Sequence, residues 1–129
     1  MTVGPGASMS PRDLLEAAHE LVDRPGSSLV GLWPRAAALL ARQALEGALD
    51  ALWAARAPGI EAPSARAQLA CLPAYLPNRV LAAEVAYTWV VLSAACHHHA
   101  YELAPTEGEL QSRFAVVERL LTQVAGHLG

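Results

Sequence analysis

The sequence predicts an all-α bundle of four or five helices, and three observations carry that reading. Apolar residues recur every three or four positions through most of the chain, the period of a helix with one buried face. Pro- and Gly-containing breaks separate these stretches, several of them beside a residue suited to cap a helix. No stretch alternates apolar and polar residues long enough to make a strand. With 129 residues, 53% hydrophobic and 16% charged, the chain suits one domain with a real core.

Residues 1–10 are rich in Gly, Pro and Ser and read as a flexible tail, leaving 11–129 as a single helical domain. Ser10 then Pro11 is an N-cap followed by a first helical residue, with Asp13 and Glu16 matched to the positive helix end. Pro25-Gly26 should stop this helix near Arg24. After a connector from Ser27 to Trp33, Pro34 opens the strongest helical stretch, Arg35 to Ala57. Its Leu45, Leu49 and Leu52 form an apolar stripe, and Arg42, Glu46 and Asp50 are expected to be a solvated one. Pro58-Gly59 ends it. A shorter third helix should begin at Pro63-Ser64 and end before Pro73, with Pro73 to Pro77 as a turn. Asn78 can cap a fourth helix running to about His99, its seam being Leu81, Val85, Thr88, Leu92, Ala95 and His99, with Trp89 largely buried beside it. Thr106 and Glu109 have the spacing of a capping box, so a fifth helix starts there, with Phe114, Val117, Leu121 and Val124 on its apolar face.

Composition excludes several functions. A formal charge of −3 argues against bulk electrostatic binding to nucleic acid. Every basic residue is Arg and alanine makes up about a fifth of the chain, which fits a GC-rich bacterial genome. The first residues have neither a basic n-region nor an apolar h-region, and the longest apolar stretches are interrupted by Arg, Glu, Gln or His. The expectation is therefore a cytoplasmic protein with no signal peptide and no membrane span. Cys71 and Cys96 form no CxxC motif and read as two buried, reduced cysteines. Gly-rich phosphate loops, nucleophile elbows and paired-carboxylate motifs are absent from the sequence, and no cofactor is expected. Trp33, Trp53 and Trp89 read as core or dimer-contact residues rather than base-stacking platforms.

The run Cys96-His97-His98-His99-Ala100-Tyr101 is the stretch most open to a chemical reading, because histidine titrates near neutral pH and binds metals. Consecutive helical positions lie about 100° apart, so His97, His98 and His99 cannot all face one metal from a regular helix. Cys96 and His99 share a face but need two further ligands, and nothing in the spacing of His19 or His127 supplies them; no metal site is expected. Ser93 with His97 is a Ser/His pair at helical spacing, without an orienting acid. The plainer reading is that His99 caps the core end of the helix while His97 and His98 face solvent or a partner, where histidine also suits the helix dipole.

A longer pattern gives the run a sharper reading. The stretch from Ala41 to Leu52, Ala-Arg-Gln-Ala-Leu-Glu-Gly-Ala-Leu-Asp-Ala-Leu, resembles the second helix of HEPN domains, small all-α bundles in which that helix often reads Ala-x-x-Ala-x-Glu. His99-Ala100-Tyr101 is similar to the end of the Arg-x4-His-x-Tyr signature of HEPN toxins. The resemblance spans about residues 11 to 125 and is mainly a helix pattern.

The resemblance implies a metal-independent endoribonuclease ancestry and a composite site across a two-fold homodimer. His99 would serve as general acid or base at a ribose 2′-hydroxyl, and an arginine would clamp the phosphate. Ala94 stands where that arginine is expected, with Ser93 before it, so activity would be impaired or altered. Either the protein is a non-catalytic relative, or His97, His98 or Arg42 takes the phosphate contact, or alanine has replaced a native arginine. Tyr101 matches a position that a partner antitoxin can nucleotidylate in toxin-type relatives, and Glu102 could orient His97 or His98. The implied partners are a second copy of the chain, RNA, and an antitoxin or other protein. Two readings from other classes stand beside this one: a non-catalytic helical dimer that binds a protein or nucleotide, and a His/Cys metal-binding bundle.

Overall fold

A computed structural model describes residues 9–24, 32–60, 63–97 and 103–128. Five helices are present, and no strand occurs among the described residues: α1 (Pro11–Asp23), α2 (Trp33–Arg56), α3 (Ala65–Cys71), α4 (Arg79–Cys96) and α5 (Glu107–Leu128). The protein is an all-α helical bundle.

The caps expected from the sequence form. Ser10 Oγ accepts from the Asp13 amide at 3.1 Å, and Asn78 Oδ1 accepts from the Leu81 amide at 3.0 Å. Thr106 and Glu109 close a reciprocal box at the start of α5. Ser64 caps α3, whose last residue runs into a single 3-10 turn, Leu72–Ala74, at the Pro73 break.

The middle of the bundle is α2, which packs on α1, α4 and α5. Ala37, Ala38, Ala41, Ala44 and Ala48 are buried along it, together with Leu45, Leu49, Leu52 and Trp53. Small side chains let neighbouring backbones come close. At Gly47 the approach is tight, since a Cβ there would lie 2.9 Å from Cγ of Pro11. Phe114, Leu110, Val117 and Leu120 of α5 complete the core from the other side. The far end is closed by Leu69, Leu72 and Leu76, and by Trp53, whose indole N–H donates to Gln68 Oε1 at 2.9 Å and whose ring meets Tyr75 edge-on.

Three expectations need correction. Helix α4 stops at Cys96 instead of reaching His99, because His97 is already extended at φ −89°, ψ 136°. Cys71 is exposed: α3 turns Leu69 inward, and the cysteine two residues on faces out. Arg42 and Glu46 are half-buried where α2 meets α4, so of the expected solvated stripe only Asp50 is exposed. The expected tail lies mostly outside the described residues, as do His98, His99, Ala100, Tyr101 and Glu102.

Replacing a helical glycine by alanine ordinarily gains about 1 kcal/mol. At Gly47 the added methyl meets a stiff proline ring, and relieving such overpacking costs about 1–3 kcal/mol. Thermal unfolding should show Gly47→Ala at or below the wild-type midpoint, and Gly126→Ala, which has open space, at or above it. A clear rise in midpoint for Gly47→Ala would refute the close α1–α2 approach.

Candidate functional site at the C-terminal end of helix α4

Helix α4 presents four strips to its surroundings. Leu81, Val85, Thr88 and Leu92 point into the core. Thr88 is the buried polar residue among them, and its hydroxyl accepts from Nη1 of Arg113 at 3.0 Å. Toward α5, Glu84 pairs with Arg119 at 2.6 Å. Toward α2 lie Trp89, Ser93 and Cys96. Outward lie Val80, Ala83, Tyr87, Val90, Ala94 and, just past the helix, His97, all exposed.

The α2 flank is polar and half-buried. The Trp89 indole N–H donates to Glu46 Oε2 at 3.1 Å, and Arg42 Nε stands 3.9 Å from the other Glu46 oxygen. Arg42 Nε and Ser93 Oγ are buried and make no hydrogen bond. Burial pushes the Cys96 thiol above its ordinary pKa; the Arg42 guanidinium opposes this, and the Glu46 carboxylate adds to it. Cys96 is therefore a protonated, poorly nucleophilic thiol near neutral pH.

One residue that sequence reasoning passed over organises the helix end. Arg35, one turn into α2, donates from Nη1 to the carbonyl of Ala95 at 3.2 Å and to the carbonyl of His97. A guanidinium at a helix C-terminus binds carbonyls that have no partner within the helix and offsets the negative end of the dipole. The two carbonyls belong to the last turn and to the first extended residue, so Arg35 fastens the point where α4 gives way to the histidine run. The only sequence signal was spacing: Arg35, Arg42 and Glu46 recur at seven and four, one face of α2.

The predicted site residues divide among these places. Ala94 lies on the outward strip, and His97 is exposed beyond the helix end. Arg42 sits on the α2 flank, roughly 130° around the α4 axis from Ala94 at about 100° per residue. The geometry thus groups Ala94 with His97 and sets Arg42 apart with Glu46 and Cys96. Ser93, with its hydroxyl buried, makes no pair with His97. His19 packs its ring edge-on against Phe114 at 4.9 Å, far from any liganding role in its present contacts. Among the described residues no three His, Cys, Asp or Glu side chains group as metal ligands. His98, His99, Tyr101 and Glu102 lie outside the described residues, as does the His127 side chain.

No protein-family model, curated protein or solved structure matches the chain, so the class it belongs to is defined by its fold: an all-α bundle with an exposed histidine at the end of its most apolar helix.

The two thiols should differ sharply toward alkylating agents. At pH 8, peptide mapping after brief iodoacetamide treatment should find Cys71 modified well before Cys96. Glu46→Gln should speed the Cys96 reaction, since the carboxylate raises its pKa, and Arg42→Gln should slow it. Equal rates at the two cysteines would contradict the burial described for Cys96.

Proposed function

We propose that this chain is a HEPN-like domain related to RNA-targeting toxin or defence ribonucleases, acting in the bacterial cytoplasm as a homodimer, with its active site altered at Ala94. The observation that carries the reading is the place of Ala94. The residue that the resemblance makes a phosphate-clamping arginine lies on the outward face of α4, one turn before the helix opens into the histidine run. A long cation there would project away from the bundle and beside His97, where an RNA phosphate can reach. An arginine at any core or α2-facing position of α4 would have no such access. The resemblance in α2 is compatible with the same frame: Ala41 and Ala44 are buried, and Glu46 reaches across to Trp89 of α4.

In this reading His99 is the acid–base group, Tyr101 is a neighbouring site residue open to modification by a partner antitoxin, and His97 and His98 supply the remaining RNA contacts. Arg42 is the weakest of the candidate phosphate contacts, because it is held between α2 and α4 near Glu46. A second reading, a non-catalytic module that binds a protein or nucleotide, is favoured by alanine at position 94 and by the apolar character of the outward strip.

Ala94→Arg separates the two. The position is exposed, so the substitution should leave the helical signal and thermal midpoint close to wild type. The ribonuclease reading predicts RNA cleavage in the presence of a chelator and growth arrest on expression, both abolished by adding His99→Ala. A folded Ala94→Arg protein without either activity would leave the binding module as the account.

A further inference from the structure

Helix α2 is covered on three sides and open on the fourth. It packs on α1, α5 and α4, and α5 also meets α1 and α4, but no extended packing joins α1 to α4. Along the open side, α1 and α2 form a groove of two adjoining hollows, about 680 Å³ and 710 Å³, the size of ligand clefts. Leu40 lies in both hollows and so marks the middle of the floor. Leu14, Ala17 and Leu21 of α1, three and four residues apart, line it from one side and are half-buried. On α2, Leu32, Ala36, Leu39 and Gln43 follow at four, three and four residues and share the open face. Leu32 is 60% exposed and Leu39 37%, so apolar surface continues beyond the hollows.

We propose that this groove docks a basic amphipathic helix of a partner protein, which lies between α1 and α4 and closes the ring around α2. Charge complementarity selects the occupant. Glu20 and Asp23 line one hollow and Glu46 and Asp50 the other, while Arg24 is the one cation lining either. No ion pair holds Glu20 or Asp23 among the described residues. Arg42 approaches Glu46 but does not line the groove. Carboxylates at both ends of an apolar floor call for cations spread along the occupant and apolar anchors between them. Residues 1–8, 25–31, 61–62 and 98–102 of the chain itself hold no Arg or Lys, so none of these segments matches that pattern.

Length selects a helix over a small molecule. From Pro11 to Arg24 the groove runs about 20 Å at 1.5 Å per residue, nearly four turns of an occupant helix. Helix-in-groove binding needs an apolar stripe at i, i+3, i+4 and i+7 set into such a floor, with Leu40 at its centre here. The inference does not draw on the ribonuclease reading. Ala94 and His97 lie on the outward face of α4, and an inert Ala94→Arg protein would leave the groove as described.

The probe is a synthetic helix of about 15 residues made of leucine and lysine, with the leucines on one face. A peptide of the same composition with the leucines dispersed is its control. Fluorescence anisotropy with the full chain should show tighter binding of the patterned peptide, weakening as salt rises. Leu40→Arg, folded by circular dichroism, should weaken that binding at least about thirtyfold, the level of a hot-spot residue. Glu20 is exposed, so Glu20→Lys keeps the fold and should weaken binding severalfold. Glu107→Lys makes the same charge change on α5, lines neither hollow, and should leave binding unchanged. If Leu40→Arg does not fold, the Glu20→Lys and Glu107→Lys comparison decides alone. Equal binding of the two peptides, or binding indifferent to Glu20→Lys, overturns the proposal. Self-association of the chain that Leu40→Arg abolishes, with no peptide bound, also overturns it and gives the groove to a second copy.

Discussion

Everything in this bundle leans on the small-residue face of α2. Five buried alanines allow α1 to lie close against it, and the close contact at Gly47 and Pro11 fixes how close. The larger Leu45, Leu49, Leu52 and Trp53 then fill the space on the sides where α4, α5 and the α3 turn pack. Small residues supply little apolar area of their own, so their value is geometric: they bring the larger side chains of the neighbouring helices into contact across the centre. Because α2 touches every other long helix, its register sets the register of the bundle.

The position of α4 follows from this, and polar ties refine it. On one side Arg113 and Arg119 of α5 reach Thr88 and Glu84; on the other Glu46 of α2 accepts from the Trp89 indole, and Arg35 donates to the last carbonyls. Apolar packing alone would tolerate a small rotation of α4, whereas these contacts accept only one. They turn the strip from Val80 to Ala94 outward and end the helix at Cys96. The candidate site is thus defined from α2: Arg35 stands about three turns before Glu46, with Arg42 between them, all on the face that meets α4.

Much of this was legible in the sequence and some was not. The caps at Ser10, Asn78 and Thr106 were readable because each depends on a side chain and an amide three residues away. The buried seam of α4 was readable because core periodicity is local. The early end of α4 was not, since it depends on a guanidinium sixty residues upstream, and nothing in Cys96-His97-His98 itself stops a helix. The half-buried Arg42 and Glu46 were misread for a related reason: a charged stripe looks the same in sequence whether water or a tryptophan and a cysteine lie against it. The outward strip was concealed by its own regularity. A helix with two apolar faces reads as a single strongly apolar helix, and only the exposure of Tyr87 and Val90 separates the face that fills the core from the face left over.

These pieces combine into one account, in which the small-residue face of α2 aims α4, and Arg35 of α2 fastens the end of α4 at the start of the histidine run. Amide hydrogen exchange of Arg35→Ala tests it most directly, because it reads the end of α4 separately from the rest of the bundle. Without the guanidinium, the amides of the last turn of α4 should exchange faster than in the wild type, while those of α2 and α5 keep their protection. Unchanged exchange at the end of α4 would mean that Arg35 does not fasten it, and loss of protection throughout the bundle would mean that its role is not local to that end. Either of those results would contradict the account.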